Sequence, residues 1–145
     1  MNPAVTAANE RHLTIGQVAA RTAVRVGTVR YYERCGLLPR APRLASGYRR
    51  YGADAVERLR FIRAAQALGF SLAEIRELLS LRVRPGASCA DVRARANDKI
   101  GTIDARITEL QRIRAALVTL AMRCNGSGPT SDCPILDALQ AEMTR

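Results

Sequence analysis

Apolar residues recur at helical spacing through most of the chain, and the polar breaks between them mark out the elements. Thr14-Ile15-Gly16-Gln17 sets a hydroxyl and an amide three residues apart, the pattern of a capping box. Ile15, Val18 and Ala19 then follow on one face, so a first helix runs to about Arg21. Thr22-Ala23-Val24 interrupts it, and a second helix is predicted over 25–35, stopped by Gly36. Two short helices with a tight connection form a helix-turn-helix candidate. Pro39, Pro42 and Gly47 break up the next stretch, and Tyr48-Arg49-Arg50-Tyr51 beyond them suits a short strand or wing along a phosphate backbone. A third helix is predicted over 54–68, with Val56, Leu59, Ile62 and Ala65 or Gln66 inward and Gly69 as its stop. Ser71-Leu72-Ala73-Glu74 is a second capping box, opening a helix that buries Leu72, Ile75, Leu78 and Leu79. Arg84-Pro85-Gly86 closes this lobe.

Over 90–123 there is no proline and the only glycine is Gly101. Ile100, Ile103, Ile107, Leu110, Ile113, Leu117 and Leu120 recur there in steps of three and four, close to a heptad seam. A helix of that length is ~50 Å long. Its seam needs a partner, and the chain has no second helix to match it. Dimerisation is the economical solution, and packing onto the N-terminal lobe is the alternative. A Gly/Ser/Pro loop over 125–131 follows, and Cys133-Pro134 opens a last short helix. The expected organisation is a disordered tail (1–12), a winged helix-turn-helix DNA-binding domain (13–84), a dimerisation helix (85–123), and a metal-binding loop with a short C-terminal helix (124–145). The expected fold class is mainly α.

Charge adds a partner to this picture. The 145 residues carry 23 Lys+Arg against 13 Asp+Glu, a formal charge of +10. Up to Arg84 there are 15 basic and 6 acidic residues, and beyond it 8 and 7, so the excess lies almost wholly in the first lobe. That points to a polyanion. No apolar run reaches the ~20 residues of a membrane span, which leaves nucleic acid and no membrane partner. Every basic residue except Lys99 is arginine, whose forked donors suit phosphates and guanine edges. With 48% apolar residues the chain can bury a core, and it is expected to be cytoplasmic with its cysteines reduced. No Gly-rich phosphate loop, paired acid/base carboxylates or Ser–His arrangement stands out, so an enzyme is not expected.

The cysteines bracket the long helix. Cys89 and Cys124 are 35 residues apart, five whole heptads, so they share a stripe but lie at opposite ends. In an antiparallel dimer, Cys89 of one subunit meets Cys124 and Cys133 of the other, giving two equivalent three-thiolate sites. With the only histidine at His12, such a site is soft and suits Hg(II), Pb(II) or Cd(II). Asp132 could add an oxygen, which keeps Zn(II) open. A Cys124–Cys133 disulfide, inert thiols and a redox sensor are the other readings of the same spacing. Cys35 stands alone in the first lobe and reads as a packing residue.

Leu13-Thr14-Ile15-Gly16, Val29-Arg30-Tyr31-Tyr32-Glu33-Arg34-Cys35-Gly36-Leu37-Leu38, Tyr48-Arg49-Arg50-Tyr51 and Leu68-Gly69-Phe70-Ser71-Leu72-Ala73-Glu74-Ile75 occur in this order. Together they resemble the MerR family of bacterial transcription regulators, over about 13–139. Cys124 and Cys133-Pro134-Ile135-Leu136 are similar to the metal-binding loop of its heavy-metal-sensing branch. The resemblance implies a winged helix-turn-helix homodimer joined by an antiparallel coiled coil. Such a dimer sits on double-stranded promoter DNA whose −35 and −10 elements are too far apart. It represses without metal, and with metal it distorts the DNA so that RNA polymerase can start. It implies a recognition helix over Val26–Arg34 and a DNA-facing set of Thr14, Arg25, Thr28, Arg30, Tyr31 and Tyr32, with Arg49, Arg50 and Tyr51 as wing contacts. It implies Cys89, Cys124 and Cys133 as metal ligands. Cys89 stands where monovalent copper sensors have serine, which argues against Cu(I). The zinc-sensing Cys-Cys pair and loop histidine are absent, since Arg123 precedes Cys124. The 82–88 segment looks closer to lead and cadmium sensors.

Two alternatives remain at this stage. One is a regulator of the same fold that senses Zn(II) or an oxidant. An organic effector would lack a lined pocket, because no aromatic residue follows Arg84. The more distant alternative is a thiol-based metal-handling protein, which would need a Cys-x-x-Cys pair that is missing.

Overall fold

The computed structural model describes residues 13–143, so the expected tail at 1–12 lies outside the described residues. Among the described residues six α-helices follow one another: α1 Ile15–Thr22, α2 Val26–Arg34, α3 Ala53–Ala67, α4 Leu72–Val83, α5 Cys89–Arg123 and α6 Pro134–Met143, with a 3-10 turn at Thr130–Asp132. The described residues divide into two compact units, one ending at Arg95 and one beginning at Ala96. The first unit takes in the opening turns of α5, where Arg95 Nε lies 3.4 Å from Glu77 of α4.

Both capping boxes form. Thr14 Oγ1 accepts the Gln17 amide at 3.2 Å while Gln17 accepts the Thr14 amide at 2.9 Å. Ser71 and Glu74 repeat the exchange at 3.2 and 3.0 Å. These bonds satisfy amides that the first turn of a helix leaves without partners. α2 and α3 stop where expected, with Gly36 at φ 73° and Gly69 at φ 88°.

In the first unit α1 packs on α2 and α3, and α4 packs on α3. Val18, Val29, Leu37, Leu59, Ile62 and Ile75 are fully buried at the centre. Leu81 is also buried, although the pattern favoured Leu72 and Leu78, which are only half-buried. Three arginines donate to backbone carbonyls at or just beyond helix ends: Arg63 to Thr22 O at 2.7 Å, Arg58 to Leu37 O at 2.6 Å and Arg76 to Cys35 O.

The turn between α1 and α2 puts Ala23 at φ 52°, the left-handed region where a Cβ is strained. Ala23→Gly should therefore raise stability by about 1 kcal/mol in urea unfolding, the reverse of an Ala→Gly change inside a helix. A fall in midpoint would contradict this strain.

The expected strand at 48–51 is not a strand. Among the described residues there are only two isolated antiparallel bridges, Leu13 with Tyr51 and Arg43 with Arg49. Leu13 and Tyr51 exchange both backbone bonds, at 2.8 and 2.9 Å, but the arginine- and proline-rich partner segment is too irregular to extend the ladder.

In the second unit α5 buries none of its residues within the chain. Ile100, Ile103, Ile107, Leu110, Ile113 and Leu117 are all exposed, and Leu120 is half-buried.

Candidate nucleic-acid interface and metal site

The helix-turn-helix lobe opens a basin of about 400 Å³ beside α2. Arg30 and Arg34 reach it from α2, Arg40 and Arg43 from the proline-broken segment, and Tyr48 and Arg49 from the run beyond. Thr14 stands at its edge and Glu33 is the one acid in its lining. Five guanidinium groups around one concave face suit a phosphate backbone.

The residues expected to face DNA divide into three groups. Thr14, Arg25, Arg30, Tyr31 and Arg50 are exposed, and Thr28 is half-buried. Arg25 is the N-cap residue of α2, and the Thr14 hydroxyl is engaged in its own capping box. Tyr31 lies under the Arg34 guanidinium at 5.9 Å from the ring centroid, a cation–π contact. The neighbouring Cys35 thiol pushes the Tyr31 phenol pKa upward. Cys35 itself is half-buried and packs against the core.

Tyr32 and Tyr51 are corrections. Tyr32 is buried with Val29 and Glu33, one helical face of α2, and its hydroxyl donates to Gln66 Oε1 at 2.9 Å. Tyr51 is 1% exposed, and its hydroxyl donates to Glu33 Oε1. Burial, and then the bond to Glu33, push the Tyr51 phenol far above the usual tyrosine range, so it remains a donor. Neither side chain is available to a phosphate. Arg49 is half-buried, and its Nη1 serves both Glu33 Oε2 at 3.3 Å and Ala41 O at 3.4 Å. Arg34, Arg40 and Arg43 line the basin too, although they are not among the residues expected to face DNA, and Tyr48 joins them from the run expected to form the wing. Arg40 and Arg43, interleaved with Pro39 and Pro42, are the sequence signal for that side of the basin.

The second unit carries a separate cavity of about 420 Å³, built by the loop after α5. Cys124 and Cys133 both line it, with Arg123, Asn125, Thr130 and Asp132. Asn125 Oδ1 accepts from the Ser127 amide and hydroxyl, both at 3.0 Å, which folds the loop back on itself. Gly126 at φ 79° lets it turn, and its amide donates to Cys124 Sγ at 3.4 Å. Pro134 then starts α6, a position where the missing amide costs nothing.

Cys124 and Cys133 are free thiols, half-buried, so the disulfide reading is not what the structure holds. Cys89 is the first residue of α5 and exposed. Before it, the Ser88 amide and hydroxyl donate to Asp91 Oδ2 at 2.7 and 3.2 Å, which holds the Asp91 carboxyl below the usual range. Among the described residues, no three His, Cys, Asp or Glu side chains gather within one chain. Two soft donors opening on one cavity suit the chemistry of a soft cation.

A basic helix-turn-helix lobe followed by a long helix and a thiol-lined loop is the organisation of a DNA-binding transcription regulator. Comparison with known proteins narrows the class. The family model for the MerR helix-turn-helix regulatory proteins matches residues 13–81, and the MerR DNA-binding model matches 56–120. The mercuric resistance operon regulatory protein of Serratia marcescens is 39% identical over 134 residues, 92% of each chain. The lead(II) complex of the regulator PbrR691 from Ralstonia metallidurans CH34 superposes with a TM-score of 0.80 at 35% identity, covering 88% of this chain and 98% of that one. The mercury(II) complex of the dual-function regulator MerR from Bacillus megaterium MB1 gives 0.70 at 37% identity, covering 88% and 99%. The chain belongs to the MerR family.

Proposed function

We propose that this protein is a metal-responsive transcription regulator, acting as a homodimer on double-stranded promoter DNA and through RNA polymerase bound there. It represses without, and activates with, a soft divalent ion: Hg(II), Pb(II) or Cd(II). The observation that carries this reading is the pair of free thiols, Cys124 and Cys133, nine residues apart and opening on one cavity. The mercury and lead regulators it resembles over nearly their full lengths support it. Among the described residues, no helix is long and apolar enough to cross a membrane.

Arg30, Arg34, Arg40, Arg43 and Arg50 supply the phosphate contacts, and Arg25, Thr28 and Tyr31 stand on or beside the recognition helix α2. The exposed seam of α5 joins two chains head to tail. Cys124 and Cys133 hold the effector with the partner subunit's Cys89. When bound, a soft divalent ion supplies the charge that keeps three thiolates together. An effector of equal affinity for both conformations would shift nothing, so the sulfur set must close best in the state that distorts the promoter. The spacer DNA is then read through its deformability.

A promoter-reporter titration with Hg(II), Pb(II), Cd(II), Zn(II) and Cu(I) side by side tests this. Activation is expected with one or more of the first three at the lowest concentrations. No response to any ion, or Cu(I) acting first, would refute it.

A further inference from the structure

Glu33 is a buried acid on the recognition helix, and its two oxygens are both used. Oε1 accepts from Tyr51 and Oε2 from Arg49, while the same Arg49 nitrogen reaches Ala41 O. Its side chain is 5% exposed, so the carboxylate has little water to fall back on. Tyr51 is in turn tied to Leu13 through both backbone bonds. One carboxylate therefore joins α2, the segment at Ala41, the 48–51 run and the strand-like residue before α1.

We propose that Glu33 and Arg49 are positioning residues for DNA binding, a buried brace that fixes the 43–51 segment against the recognition helix. This rests on the DNA-binding reading above. Arg49 belongs to the floor of the arginine basin rather than to the groups that grip phosphate. The Arg30 and Arg34 side of the basin and the Arg43 and Tyr48 side are then held at one separation, so both engage the backbone together. Without the brace each side still carries its charge, but the segment must be ordered when DNA binds, which weakens affinity.

Glu33→Gln is the discriminating change. An amide places an NH₂ where the carboxylate has its second oxygen, so it cannot accept at both positions that Tyr51 and Arg49 now occupy. The experiment is a double-variant cycle of Glu33→Gln and Arg49→Met, with operator affinity measured on full-length protein shown to be folded by circular dichroism. Hydroxyl-radical footprints are read on the same complexes. Each single variant should bind about tenfold more weakly, and the double variant no worse than either. Protection by the 43–51 segment should fade while protection by α2 persists. Arg43→Ala serves as the direct-contact reference, lowering the salt slope of log K by about 0.9.

A double variant about a hundredfold weaker, the product of two independent losses, would overturn the brace and make Arg49 a direct contact. Wild-type affinity and footprint in Glu33→Gln would overturn it as well, even with a lowered melting temperature, because that is what a purely structural acid predicts. Absence of sequence-selective binding by the wild type would instead strike at the DNA-binding reading itself.

Discussion

Metal-dependent transcription should be lost in Cys89→Ser, Cys124→Ser and Cys133→Ser, with metal-free operator affinity staying within about twofold of wild type. Serine keeps the size but not the chemistry. Its hydroxyl stays protonated near neutral pH and is a hard donor, whereas a thiolate is soft and reachable at that pH. The affinity should hold because Cys124 and Cys133 lie in the second unit and Cys89 is exposed, outside the core that shapes the arginine basin. Mixing variants makes the test sharper. Cys89→Ser chains retain the loop pair, and chains carrying both Cys124→Ser and Cys133→Ser retain Cys89. Each homodimer has no complete site, yet their heterodimer has one, so random mixing should restore about a quarter of wild-type metal capacity. A mixture as inactive as its components would mean that no site is shared between subunits, and a full response in all three single variants would remove the sensor.

Ile107→Glu should convert the dimer to monomers at micromolar concentration and remove operator binding with it. Ile107 sits at the middle of the 89–124 stretch, so in a head-to-tail pair the two copies meet near the twofold axis. In the single chain its side chain is 47% exposed, with apolar seam residues on both sides. Burying such residues is worth ~1.5–3 kcal/mol each. Losing two of them and facing two carboxylates across an apolar seam should raise the dissociation constant about a thousandfold or more. Operator affinity falls because one helix-turn-helix lobe reaches only one half-site. Ala105→Glu, on the opposite side of α5, should remain a dimer. Sedimentation equilibrium decides, and an Ile107→Glu protein that stays dimeric would place the interface elsewhere.

The helices were legible because local chemistry sets them. Thr14 with Gln17 and Ser71 with Glu74 declare helix starts, while Gly36 and Gly69 declare stops, and all four act as read. The heptad seam of α5 was equally plain, and it is left exposed by the single chain. What escaped the sequence was the use of polar side chains at a distance. Tyr31 and Tyr32 look alike in the sequence, but a turn of 100° per residue sends one to solvent and the other to Gln66. The partners of Glu33 are 16 and 18 residues away, so no local pattern announces that its carboxylate will be buried. Arg58, Arg63 and Arg76 counted toward a basic lobe, yet each is spent on a backbone carbonyl.

Those three arginines bear on how the lobe comes apart. Arg63 and Arg76 each bridge 41 residues of chain, linking α3 to the end of α1 and α4 to the end of α2. Fraying either early helix thus strands a guanidinium rooted in a later one, and the later helix shares the loss. Opening should therefore be cooperative across the lobe, and in native-state hydrogen exchange the amides of α1 and α2 are expected to share the protection of those of α3.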